Sequence, residues 1–243
     1  ELSDPTVRRL ALEKGDIDIA MLMPTQEYER LQAHPAIDAN PVDTAAYVLL
    51  AFNEEAVAVA DRCFREMLDR KLDRTQIVSH LRNNLAREWA GPDGANAISH
   101  SACPMPDRPI IDGADANEAP VRFIYPAGSQ EVDTLAQYIQ AQMATLGRSA
   151  RLERLAVAAY LDRMDRGNYD IALFGFVAEF DDPSATINNW FNTDRPGALN
   201  PSRYREESVQ RLLARSEVEA DPELRDRLNE QAMRIAAADR PYL

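Results

Sequence analysis

The residues with most capacity for chemistry stand together in Phe174-Gly175-Phe176-Val177-Ala178-Glu179-Phe180-Asp181-Asp182-Pro183. Three carboxylates and several aromatic or apolar side chains close the apolar run from Tyr169 to Phe176, which reads as a buried strand. In open α/β sheets ligands sit outside the carboxyl ends of the strands, so this loop is the first place to look for a site. Asp182 before Pro183 has the simplest role, a helix N-cap with proline at the first helical position. Glu179 and Asp181 are either solvated loop residues or carboxylates that meet a cationic group on a ligand, such as a peptide amine. Carboxylate pairs also serve general acid and base catalysis, as in glycosidases. Here no separate second acidic motif, nucleophile elbow or metal-ligand spacing accompanies them. The pattern therefore points to binding, with no catalytic residue and no metal. Trp190 and Phe191 follow on the next helix, where core packing is the simpler role and ligand contact the alternative. The nine glycines are dispersed, with no GxGxxG or GxxxxGK to cradle a phosphate, so no cofactor is expected.

The elements that must position this loop form an alternating series. Val121 to Tyr125 reads as a strand. Val132, Leu135, Ala136, Ile139, Met143 and Leu146 make one helical stripe that Gly147 stops. A strand from Ala150 to Leu155 and a helix ending at Gly167 lead into the run at Tyr169. This β-α-β-α-β order predicts an α/β layer with mainly parallel pairing. Asp182-Pro183, Glu206 and Asp221-Pro222 each open a helix in the tail.

Upstream, Asp4-Pro5 starts a helix that Gly15 ends, Asp16 to Ala20 reads as a short strand, and Thr25 opens a second helix with Tyr28 and Leu31. Val42 and the run Tyr47 to Phe52 suggest further strands. From Glu54, apolar residues at helical spacing (Ala56, Ala60, Cys63, Phe64, Met67, Leu68) predict a helix, and Ile77, Leu81, Leu85 and Trp89 predict another. Gly91 to Pro120 has little periodicity and is functional or mobile. The rhythm of Leu12 to Ala20 returns at Met164 to Ala172, too far away and too few times for a solenoid. It fits two lobes that use the same helix-to-strand corner.

Charge and composition exclude several functions. Forty acidic against 27 basic residues leave a net charge of -13, which opposes sequence-independent nucleic-acid binding and docking on an anionic membrane. No apolar run approaches the roughly 18 residues of a membrane span. The chain begins at Glu1 and enters a helix almost at once, as a processed or truncated product would. Of the two cysteines, Cys63 falls on an apolar helix face and reads as a buried free thiol; pairing with Cys103 stays open in an oxidising compartment.

Four segments, in order, resemble one family. Arg9 to Ala20, the strand ending Tyr47 to Asn53, the stretch Ala136 to Gly147, and Tyr169 to Ala172 followed by Gly175-Phe176 and Asp182-Pro183 are similar to family 5 of the bacterial extracellular solute-binding proteins. The resemblance covers most of the chain. It implies an α/β periplasmic-binding-protein-like fold of type II, a mixed sheet flanked by helices, with residues 1–53 a remnant of the first lobe and 54–243 the second lobe. It implies the substrate-binding component of an ABC importer: a periplasmic or extracellular monomer, with or without a membrane anchor, that takes a peptide or similar small solute and meets a membrane permease. Members are about twice this length, which implies a fragment. The effector domain of a transcription regulator is the alternative within the family. In peptide-binding relatives an aspartate shortly before the Asp-Pro pair holds the ligand amine; the matching position is Glu179, one methylene longer. The aromatic ligand wall of the family matches Phe176.

Overall fold

The computed structural model describes residues 2, 4–21, 23–42, 46–81, 86, 103, 105, 119–177, 183–193 and 199–243. The chain divides into two compact units, residues 1–44 with 74–88 and residues 45–73 with 89–243. The strand at Ala46–Phe52 lies in the second unit.

In the first unit, α1 (Pro5–Lys14) starts where the Asp4 carboxylate accepts from the Val7 amide at 2.9 Å. It ends where Gly15 takes φ +80°. Arg9 ties α1 to α2 (Thr25–Gln32) by pairing with Glu27 while also meeting Glu13 at 2.6 Å. The strand expected at Asp16 to Ala20 does not form, and Ile19 is 77% exposed. The strand expected at Val42 does not form either. Alternation alone does not make a strand; the backbone needs a neighbour to pair with. The short helix α4 (Arg74–Gln76) runs into a π turn at Ile77–Leu81. The continuation expected through Leu85 and Trp89 lies outside the described residues, as does almost all of 91–120.

The second unit is built on β1 (Ala46–Phe52), β2 (Val121–Pro126), β3 (Ala150–Leu155) and β4 (Ile171–Val177). Their spatial order is β1-β4-β2-β3. β2 runs parallel to β3 and β4, and β1 is antiparallel to β4, so the sheet is mixed as expected. Helix α5 (Gln130–Thr145) joins β2 to β3, capped by Ser129 and followed by Gly147 at φ +75°. Helix α6 (Val157–Asp165) leads to β4 through Gly167 at φ +66°.

One face of the sheet, with Leu50, Phe52, Phe123, Ile171 and Leu173, packs on α5 and on α3 (Arg62–Lys71). The other face carries Leu49 and Phe174 under α7 (Pro183–Phe191), α8 (Glu207–Val218) and α9 (Pro222–Asp239), with Ile124 and Ala172 under Tyr160 of α6. Burial on both faces is why β1 and β4 are nearly continuous apolar runs.

Helix α3 begins later than the periodicity from Glu54 implies. Ala56 is extended, Val57–Val59 form a 3-10 turn, and Asp61 caps the helix through the Cys63 amide. The free thiol expected at Cys63 is also corrected, because Cys63 and Cys103 form a disulfide with Cα atoms 5.4 Å apart.

Polar residues at the base of the sheet fix the entry into β4. The Asn53 amide donates to the carbonyls of Gly167 and Tyr169 at 3.0 and 2.9 Å. Asp170 accepts from the Arg122 backbone amide at 2.6 Å and from its guanidinium at 2.7 Å. At the outer edge of β1, Leu50 and Leu243 exchange both backbone hydrogen bonds, at 2.7 and 3.0 Å, and Phe52 donates to the Pro241 carbonyl. The last three residues thus cover part of an edge that would otherwise be open. Arg65 stands behind this tail, donating to the carbonyls of Val59, Ala60 and Asp239 and pairing with Glu54 at 2.9 Å.

Candidate ligand-binding site

The candidate site is the carboxyl end of β4. Pairing with β1 runs along β4 to Val177, whereas the register with β2 covers Ile171 and Ala172. The last residues of β4 therefore project along one neighbour. Gly175 faces outward there, and a β-carbon built on it would meet no heavy atom within 4 Å. Nothing in the packing of this unit requires glycine at that position. Its partner Val48 and the terminal Val177 are exposed too, so the face that holds Leu173 lower down the strand ends uncovered and apolar.

On the opposite face, Phe176 is half-buried and packs edge-on against Trp190 of α7, with ring centroids 5.3 Å apart and planes at 79°. Tyr47 stands beside Phe176 in the β1–β4 register and meets Trp190 edge-on at 5.7 Å. Trp190 is only 2% exposed. The structure thus brings Phe176 and Trp190 together, with Phe176 at the surface and Trp190 behind it. Edge-to-face contacts of this kind hold rings in fixed relative orientation.

Glu179, Asp181 and Asp182 follow β4 and precede α7 in the chain, and all three lie outside the described residues. Tyr47 and Tyr242 are the members of the aromatic group that sequence reasoning missed. Tyr47 had a usable signal, two residues before Leu49 on the same side of a strand. Tyr242 had none, being far from every motif.

The described ionisable groups around the sheet have structural roles. Burial pushes the Tyr160 hydroxyl above its usual range, and it donates to the Leu173 carbonyl at 2.8 Å. Hydrogen bonds from Arg151 and then Arg163 hold Glu153 below the usual carboxylate range. An open depression at the other end of the sheet is lined by Ala56, Val57, Ala58, Arg122, Arg151 and Asp170, with Arg122 and Asp170 already engaged with each other.

Comparisons with known proteins bear on the fold and the family. Residues 2–198 match the family model of bacterial extracellular solute-binding proteins, family 5 Middle. The probable D,D-dipeptide-binding periplasmic protein DdpA of Escherichia coli is 25% identical over 250 aligned residues, covering 100% of this chain and 48% of that protein. A probable di/tripeptide-binding protein of Pseudomonas aeruginosa is 23% identical, covering 96% and 46%. The chain therefore spans about half the length of these relatives. Among solved structures, the oligopeptide-binding protein AppA of Bacillus subtilis with a nonapeptide superposes with a TM-score of 0.77 at 17% identity, over 99% of this chain and 52% of AppA. NikA of Staphylococcus aureus with Ni(L-His)2 gives 0.78 at 18% identity, over 99% and 53%. These likenesses establish the α/β fold of the type II periplasmic binding proteins. The chain belongs to family 5 of the bacterial extracellular solute-binding proteins.

Proposed function

We propose that this chain supplies one wall of the ligand cleft in the substrate-binding component of an ABC importer, that the ligand is a peptide or similar small solute, and that a membrane permease receives it. One observation carries the reading: in a family 5 chain, the carboxyl end of β4 presents Phe176 and an open Gly175 immediately before the carboxylates of the following loop. The wall binds and does not catalyse. Phe176 packs against an apolar part of the ligand, with Trp190 behind it. Glu179 pairs with the ligand's amine, and Asp181 adds negative potential at the same loop. The Cys63–Cys103 disulfide supports assignment to an oxidising compartment, the periplasm or the cell exterior.

The test is made in the protein expressed at the full length of its gene. A carboxylate desolvated against an ammonium makes a charge-assisted hydrogen bond, and removing one partner costs about 2–5 kcal/mol. Glu179→Gln is expected to weaken binding of free-amine peptides at least about tenfold, while N-acetylated peptides bind variant and parent equally. Asp182→Asn should do less, because asparagine still caps a helix. Calorimetric titration that ranks Asp182 above Glu179 refutes the assignment of the amine partner.

A further inference from the structure

The aromatic wall does not end at Trp190. Tyr242, in the C-terminal segment paired with β1, places its ring 5.8 Å from Trp190 and edge-on to Phe191 at 5.3 Å. Its hydroxyl donates to the Trp190 carbonyl at 3.1 Å and accepts from the Ser202 amide at 3.2 Å. The segment itself is held on both sides of Tyr242. Leu50 and Leu243 exchange backbone hydrogen bonds, and the Arg240 guanidinium meets Asp69 at 3.0 Å. Tyr242 therefore grips Trp190 by ring and by backbone at once, and Trp190 in turn touches both Phe176 and Tyr47.

We infer that Tyr242 is a positioning residue for side-chain selectivity at the Phe176 wall, a role that rests on the ligand-binding reading above. Phe176 is half-buried, and its ring is held by an edge-to-face contact with Trp190 and by stacking on Phe174. Trp190 cannot shift without breaking the Tyr242 hydrogen bond or opening a gap against its ring. Close-packed interiors transmit such a displacement to the next side chain and do not absorb it. Tyr242 acts through Trp190; it decides where Phe176 stands when an apolar ligand side chain arrives.

The experiment compares Tyr242→Leu and Tyr242→Phe with the parent in the protein at the full length of its gene, well below the melting temperature of each. The probes are the tripeptides Ala-Phe-Ala and Ala-Gly-Ala, which differ only in the side chain that the wall would read. For Tyr242→Leu the dissociation constant for Ala-Phe-Ala is expected to rise about tenfold, and that for Ala-Gly-Ala less than about twofold. Tyr242→Phe keeps the ring and loses the hydroxyl, so its Ala-Phe-Ala constant should fall between parent and Tyr242→Leu. Circular dichroism confirms that each variant is folded, and if the leucine variant is not, the phenylalanine variant alone carries the comparison. Equal losses for the two peptides would mark Tyr242 as a general structural residue and overturn the inference. Unchanged constants would overturn it as well. A parent that binds neither peptide, nor any other free-amine peptide, would instead overturn the ligand-binding reading and this inference with it.

Discussion

The Cys63–Cys103 bond gives a prediction whose size follows from chain length alone. The two cysteines are 40 residues apart in sequence, and both lie in the second unit. Between them the chain leaves that unit at residue 74 and returns to it at 89. The bond therefore fastens the two ends of an excursion at its base. Without it, the unfolded chain regains the conformations forbidden by a closed loop of this length, which in the chain-entropy model is about 4 kcal/mol at 25 °C. For a protein of this size each kcal/mol shifts the melting temperature by about 2–4 °C, so the loss should be about 8–16 °C. Cys103 is buried, and native protein will resist reductants. The clean comparison refolds the parent from denaturant with and without a phosphine reductant, confirms the thiol count by mass, and follows ellipticity at 222 nm during heating. A reduced form that melts within about 2 °C of the oxidised one would refute the reasoning and mean that the excursion is restrained equally well by its other contacts.

Arg65→Leu should destabilise the protein by about 3–5 kcal/mol in urea unfolding, since the carbonyls of Val59, Ala60 and Asp239 lose their donor and the partly buried Glu54 its partner; a loss below about 1 kcal/mol would contradict it. Glu153 has a folded-state pKa below its unfolded value, so its contribution is complete above the ordinary glutamate range and disappears as pH falls through the folded value. Glu153→Gln should accordingly lower the urea midpoint at pH 7, by an amount worth at most about 1 kcal/mol, with the difference shrinking as pH falls below the ordinary glutamate range. Gly167→Ala should cost about 1–2 kcal/mol, because its φ is +66° and a β-carbon there would meet the Arg203 guanidinium at 2.5 Å. Gly175→Ala, with open space around it, should leave the melting temperature unchanged and act on ligand binding alone.

The alternating core of the second unit was legible because its signals are local and mutually consistent. The stripe from Val132 to Leu146, the stops at Gly147 and Gly167, and the caps at Glu206 and Asp221 all appear where their residue types imply. The failures share a physical cause, dependence on partners remote in sequence. Leu12 to Ala20 has the rhythm of Met164 to Ala172, yet only the latter leads into a strand, because β4 finds β1 and β2 to pair with. The periodicity from Glu54 was apolar spacing without a start signal. The chain waits for Asp61, whose carboxylate can cap, before it coils into α3. Cys63 and Cys103 carry no spacing that declares a bond, since geometry and not sequence separation decides whether two thiols meet. At the candidate site, Phe176 and Trp190 were readable from one continuous segment, whereas Tyr47 and Tyr242 join them only through the β1–β4 register and the tail pairing.

The pairing of residues 241–243 with β1 also dictates the order of events during synthesis. β1 is made early, its inner neighbour β4 more than a hundred residues later, and the segment that covers its outer edge later still. Until Tyr242 leaves the ribosome, the underside of Trp190 lacks its cover and Leu50 lacks its backbone partner. Contacts so distant in sequence must wait until both partners are made, and they form slowly even then. The sheet of the second unit therefore closes only after its edge segment has been made. Until then the half-made sheet edge stands open to pairing with other chains.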